Sequence, residues 1–562
     1  MSFFSWIVEL WRERPDAAPE LSNAPQQRGA DPTAASAAYQ AGVAAFNAGD
    51  FIAAARCFGA AIEARHDDAR AYDYLGLSHL KQDHLEDAAD CFVMATHFRP
   101  EYPEAFYHLA LVAQRRGAHR DAVASLERAT ALRQDYADAH NALGASLLEL
   151  GDVERAAAEF EQAIAAQPDF AFAHNNLGYV LLRDLGDYER GIAHIETALR
   201  LAPHDPGAWC NYTMSLSHQG RLDEAIVICD RLLAARPDMH EARLNRALAA
   251  LRLGRFAEAW PDYEARKLVR SNYIPRAFPF TEWRGEALVG KTILAYAEQG
   301  LGDEIMFASC LPELIARAGH CVVECSPRLE KLFARSFPDA VVHAGGQAER
   351  DQRWLSSLGR VDYQVAIGSL PAYFRRQRAD FPAHQGYLHA GAGQTARWRE
   401  RLRALGNGLK VGISWRGGMA STRRELRSMQ LLDWLPLLKT PGCDFVSLQY
   451  GECGAELVAL AGQHGFAAHH WPQAIEDYDE TAALVAALDL VISVQTAVVH
   501  LSGALGRPAW ALVPAVPEWR YLQSGETMPW YPGVRLLRQP QLGDWQPVVA
   551  RAAQDLAQFT RR

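Results

Sequence analysis

Small and large apolar positions recur along the first half of the chain with a spacing of 34 residues. Blocks begin at Ala37, Ala71, Ala105, Ala139, Ala173, Ala208 and Ala242, with one extra residue inserted between Asp184 and Gly186. Five positions into each block stands a small residue: Gly42, Gly76, Ala110, Gly144, Gly178, Thr213 and Ala247. Twelve further on, or thirteen after the insertion, stands another: Ala54, Ala88, Ala122, Ala156, Gly191, Ala225 and Ala259. Two helices approach closely only where side chains are small, so each block predicts one helix pair crossing at these points. Phe58, Phe92, Leu126, Phe160 and Ile195 fill the complementary slots, and Pro100, Pro168, Pro203 and Pro237 punctuate the unit ends. Seven helix pairs are predicted over residues 37–275, after a Pro/Ala/Gln-rich linker within residues 1–36.

Beyond Pro275 the period disappears, and short apolar runs alternate with helical stretches, the pattern of parallel strands covered by helices. One series runs through Thr292-Ile-Leu-Ala-Tyr-Ala, a glycine turn and a helix to about Ala318, Cys321-Val-Val-Glu-Cys, a helix, and Ala340-Val-Val-His. A second runs through Lys410-Val-Gly-Ile-Ser-Trp, a helix from about Met429, Phe445-Val-Ser-Leu, a helix from about Ala455, Leu490-Val-Ile-Ser-Val, a helix, and Ala509-Trp-Ala-Leu-Val. A Gly/Ala/Arg-rich connector near residues 389–408 separates them. The expectation is a multidomain chain: an all-α array over 37–275, then two Rossmann-like lobes over 276–395 and 396–562. Ligands bind such sheets at the carboxyl ends of the strands.

Four segments at those ends carry chemistry. In Glu298-Gln-Gly-Leu-Gly-Asp-Glu-Ile, Gly300 and Gly302 let backbone approach a ligand, and Asp303 stands where a helix begins, as a cap or as a functional carboxylate. Gly412-Ile-Ser-Trp-Arg-Gly-Gly carries Arg416 and leads to Arg423, Arg424 and Arg427, guanidinium groups suited to a diphosphate. In Ser493-Val-Gln-Thr-Ala-Val-Val-His a strand runs into a helix whose start attracts phosphate, with Thr496 adding a hydroxyl, Gln495 and Ala497 flanking it, and His500 one turn on. Ser447-Leu-Gln-Tyr-Gly-Glu offers Gln449 and Glu452 to a ribose or base. The literal Asp477-Tyr-Asp479, a carboxylate spacing that can hold a divalent metal, precedes Glu480-Thr-Ala-Ala-Leu-Val and reads as a helix cap, so no metal or other cofactor is expected.

The 34-residue units resemble tetratricopeptide repeats over residues 37 to 270, which implies a right-handed superhelix whose concave groove binds a peptide or partner protein. Asn176, Asn211 and Asn245 share one register position. In repeat-bearing protein glycosyltransferases a similar asparagine ladder grips the acceptor backbone, so these three are acceptor-binding candidates. Residues 288 to 540 resemble the heptosyltransferase-like (family 9-like, GT-B) glycosyltransferases, an inverting family that includes the lipopolysaccharide heptosyltransferases. The family's Gly-x-Gly-Asp corresponds to Gly300 to Asp303, and the resemblance implies that Asp303 is the catalytic base. Its Asp-Thr-Gly/Ala-x-x-His corresponds to Thr496, Ala497 and His500, with Gln495 where the family has Asp. Trp519 and Arg520, and the Trp530-Tyr-Pro run, resemble the branch fused to repeats.

Composition adds boundaries. A net charge of -10 gives no global support to nucleic-acid binding, and 49% hydrophobic with 22% charged residues describe a globular chain. Nine cysteines without paired spacing, and no apolar run long enough to span a bilayer, lead to an expectation of cytoplasmic residence. The function expected is transfer of a sugar from a nucleotide sugar to a polypeptide acceptor, such as a surface or flagellar protein. Gln495 supports the competing reading of a non-catalytic scaffold. Transfer to lipopolysaccharide core is a further alternative, one that gives seven repeats no task.

Overall fold

A computed structural model describes residues 32–269, 276, 278–345, 353–418, 424–466 and 468–560. The chain divides into two compact units, Met1–Tyr212 and Thr213–Arg562. In the first, antiparallel helix pairs follow one another from Pro32–Asn47 with Phe51–Ala64 to Ala171–Val180 with Tyr188–Leu201. The expected small-against-large crossings form. A Cβ placed on Gly42, Gly76 or Gly144 would stand 2.7 Å from the ring of Phe58, Phe92 or Phe160, and all three rings are fully buried. The inserted residue is absorbed by a π-helical turn, Leu181–Leu185, closed by Gly186 in the left-handed conformation.

The second unit begins with repeat helices, Leu222–Ala235, His240–Arg252 and Phe256–Tyr263, and continues into two sheets. The first sheet is wholly parallel: β1 (Thr281–Glu282), β2 (Thr292–Tyr296), β3 (His320–Cys325), β4 (Ala340–Ala344) and β5 (Tyr363–Ala366), in the order β1-β5-β2-β3-β4. The second contains β6 (Leu409–Ser414), β7 (Cys443–Ser447), β8 (Ala468–His470), β9 (Leu490–Val494), β10 (Ala509–Val513), β11 (Thr527–Met528) and β12 (Tyr531–Arg538). Its order is β11-β12-β10-β9-β6-β7-β8, with only the β11–β12 pair antiparallel. The winding direction reverses at β2 in the first sheet and between β6 and β9 in the second. Crevices for ligands open at such reversals.

Several boundaries differ from the expectation. The repeats do not end as a separate domain at residue 275. Trp260, from the last repeat helix, donates its indole N–H to the Arg375 carbonyl at 2.7 Å and packs edge-on against Trp519, with centroids 5.8 Å apart. Leu251, Phe256, Trp260 and Tyr263 thereby share one hydrophobic core with Trp283, Ile293 and Trp530. The connector near 389–408 is largely a helix, Ala392–Arg403, pinned where Trp398 donates to Glu480 at 2.8 Å. The helix expected from about Met429 is short: a 3-10 turn, Leu431–Trp434, runs into a single α-helical turn, Leu435–Leu438, with Pro436 at its second position.

Candidate functional site

The loop that leaves β2 is anchored before it reaches the candidate residues Gly300, Gly302 and Asp303. Glu298 is fully buried, accepts the Arg266 guanidinium at 3.0 and 3.3 Å, and takes the Gly368 N–H at 3.1 Å, so the ends of β2 and β5 are joined. The Leu301–Phe307 helix follows, and its N-cap is Gly300, in extended conformation. Asp303 is therefore three residues inside the helix and does not cap it. Its carboxylate instead forms an ion pair with Arg520. Gly302 serves close packing: a Cβ there would lie 3.2 Å from His500 Cδ2 and 3.5 Å from Ala497 Cα. Among the described residues, a Cβ on Gly300 would meet only Asp303, at 3.7 Å. The first lobe's glycine loop thus faces the start of the Ala497–Ala504 helix in the second.

That helix start is capped from within. Thr496 accepts the Val498 N–H at 3.3 Å and lies 3.0 Å from the Ser493 hydroxyl. Gln495, just before it, is 2% exposed, and its amide nitrogen has no hydrogen-bond partner among the described residues. His500 is buried, with Nδ1 3.2 Å from the Tyr531 hydroxyl. Burial, together with the positive charge of Arg520 and Arg427, holds this imidazole well below its ordinary pKa, so it is neutral at physiological pH.

The donor candidates on β6 and β7 separate into two groups. Gln449 is spent on the protein itself: its side-chain oxygen accepts the N–H groups of Trp415 at 3.0 Å and Arg416 at 2.9 Å, and its amide donates back to the Arg416 carbonyl at 3.0 Å. It shapes the β6 loop from inside, with 4% of its surface exposed. Arg416 pairs with Glu456 at 2.8 Å, Arg424 is exposed, and Glu452 is exposed with only its carbonyl near Arg416. Arg423 lies outside the described residues. Arg427 is the member of this group that reaches the interlobe cluster. Burial lowers its affinity for its proton, Glu518 and Asp303 counteract that, and Arg520 repels it.

The sequence reading did not place Arg520 in the site. It sits in the Trp519–Tyr521 turn in the loop after β10, and the rule that strand carboxyl ends carry function was the signal available. Asp477 caps its helix as read, accepting the Asp479 and Glu480 N–H groups at 2.9 and 3.4 Å, while Asp479 pairs with Arg335.

In the repeats, the asparagine register is committed to neighbouring helices. Asn176 is fully buried and donates to Asn141 at 2.8 Å; Asn211 donates to Asn175 at 3.0 Å; Asn245 donates to Thr213 at 3.0 Å. For Asn176 this burial overturns the expectation of a side chain presented to an acceptor.

Family models described as tetratricopeptide repeat match residues 39–105, 107–169, 142–206 and 182–251. These units are tetratricopeptide repeats. Protein FlbA of Caulobacter vibrioides is 34% identical over 396 residues, 67% of this chain and 66% of FlbA, just under two thirds of that relative's length. That match is longer than the whole tetratricopeptide region, so it reaches into the α/β region. The peroxisomal targeting signal receptor of Saccharomyces cerevisiae is 36% identical over 73 residues, 13% of this chain and 12% of the receptor. Among solved structures, YrrB, described as a TPR protein with an unusual peptide-binding site, is 20% identical, covering 34% of this chain and 96% of its own at a TM-score of 0.29. The Pseudomonas aeruginosa pilF structure is 14% identical, covering 38% and 97%, at 0.36. The tetratricopeptide array is consistent with binding a protein partner, and no described helix is long and apolar enough to cross a membrane.

Proposed function

We propose that this chain is a glycosyltransferase that moves a sugar from a nucleotide sugar onto a polypeptide bound by the tetratricopeptide array. The observation that carries the reading is the convergence of Asp303, on the first lobe, with Arg427 and the Thr496–His500 helix start on the second, each at the carboxyl end of a strand next to a winding reversal. In the reaction, the bond between the sugar's anomeric carbon and the phosphate oxygen breaks, and the leaving phosphate keeps the electron pair. The acceptor hydroxyl oxygen forms the new bond and yields its proton to the Asp303 carboxylate. Arg427 and the helix start stabilise the charge that builds on the leaving group.

The competing reading, a binding scaffold without catalysis, is favoured by Gln495 at the position where the resembled family has a carboxylate, and by the ion pair that occupies Asp303. One variant separates the two. Asp303→Asn keeps the side chain's size and removes its capacity to take a proton, so transfer or nucleotide-sugar hydrolysis should fall by roughly 10²–10⁴-fold with folding retained. Equal turnover by wild type and variant would remove Asp303 from catalysis, and absence of turnover in the wild type across ADP-, GDP-, UDP- and CMP-sugars would favour the scaffold.

A further inference from the structure

Arg520 has the geometry of a ligand-binding residue rather than a surface ion-pair partner. Only 13% of its side chain is exposed, its Nε is buried without a hydrogen bond among the described residues, and its guanidinium lies 5.2 Å from the centroid of the Trp519 ring. Besides pairing with Asp303 it stands 3.6 Å from Glu518. The positive charge of Arg427 opposes that of Arg520, and both charges act on His500. The cluster therefore holds two guanidinium groups, two carboxylates and a neutral imidazole. Two like charges stay together in a buried place only while anions hold them there. One of those anions, Glu518, belongs to the same turn as Arg520. The other, Asp303, comes from the opposite lobe, and it is the proposed base.

The Asp303 oxygen that accepts the Arg520 N–H is already engaged in a charge-assisted hydrogen bond. A phosphate offers the same guanidinium more charge and more acceptor oxygens, enough for a bidentate fork. Resting on the glycosyltransferase reading, we propose that Arg520 and Arg427 are the pair that binds the donor's phosphate, and that the phosphate takes Arg520 from Asp303. The exchange conserves ion pairs: Arg520 changes partner, and Asp303 becomes available to the acceptor hydroxyl only when donor is present. Arg520 is thus both a phosphate ligand and the residue that keeps the base inactive in the empty enzyme.

Calorimetric titration of the full chain with inorganic pyrophosphate, and with nucleoside mono- and diphosphates, tests this. Arg520→Gln should weaken both classes of ligand by roughly 10- to 100-fold, the loss expected for charge-assisted hydrogen bonds. Arg520→Lys, which keeps the charge and loses the fork, should give an intermediate loss. Asp303→Asn, which releases the guanidinium from competition, should tighten binding by roughly fivefold. A purely structural ion pair would shift affinity in the same direction whichever partner is changed, so opposite signs support the exchange and equal signs overturn it. Unchanged affinity in the folded Arg520 variants also overturns it; should Arg520→Gln not fold, Arg520→Lys and Asp303→Asn decide. Pyrophosphate binding that responds as expected, without nucleotide binding, keeps the phosphate subsite and removes the nucleotide-sugar reading. A wild-type chain that binds neither ligand removes both.

Discussion

Replacing Trp260 by alanine measures how far the last repeat is part of the α/β unit. The indole is 2% exposed, packs edge-on against Trp519 at 5.8 Å and Tyr263 at 5.7 Å, and holds the Arg375 carbonyl. Removing a buried tryptophan costs about 3–5 kcal/mol in lost transfer and cavity formation. Leaving the Arg375 carbonyl unpaired adds about 1–3 kcal/mol. Trp260→Phe, which keeps most of the ring contacts, should lose mainly the hydrogen bond and cost less than half as much. Because the boundary between compact units falls at Tyr212 and Thr213, urea unfolding followed by circular dichroism and tryptophan fluorescence should shift the transition of the 213–562 unit. The transition of the first unit should stay in place. A fragment starting at residue 271 should be far less stable than one starting at 213, since it loses the Phe256 and Trp260 side of the shared core. A shift below about 1 kcal/mol for Trp260→Ala, within the range of surface substitutions, would show the repeats and the sheets to be independent.

Two further outcomes follow from buried polar groups. Glu304 is 4% exposed, and burial, reinforced by Glu324 and Asp303 and only partly offset by the Ser326 N–H, pushes its carboxyl up to about 8. The folded pKa is raised above the unfolded one, so its contribution is complete below pH 4.5 and is lost as pH rises towards 8; Glu304→Gln should flatten stability over that window and stabilise the chain at its alkaline end, read by thermal unfolding at each pH. Asn176→Ala should lower the stability of the first unit by about 1–3 kcal/mol, because it strands the buried Asn141 oxygen, and a variant of unchanged stability with weakened polypeptide binding would return Asn176 to the acceptor surface.

Local patterns in the chain were enough to specify the repeat units, their crossing points and the strands that alternate cleanly with helices. Gly42 against Phe58 and Gly144 against Phe160 are one-unit interactions that recur with a fixed spacing, so periodicity exposes them. Strands β2, β3, β6, β7, β9 and β10 are short runs of apolar residues set between helices. β5, four residues long with Gln364 in its middle, and β12, carrying Pro532 and Gly533, lack that signature. They are strands because neighbours on both sides pair with them. The candidate site divides the same way. Asp303, Thr496 and His500 could be selected from their own segments, since each stands in a short motif at a strand end. Which residues they meet is a different matter: Arg520 reaches Asp303 across 217 positions of chain, and Gln449 turns inward because the β6 loop lies beside it. The sequence alone selected the strand-end segments proposed to carry chemistry, through spacing and local backbone preference. Only the tertiary structure decided which of their charges are paired and which face the cleft, because pairing and desolvation depend on distances between segments that no local pattern encodes.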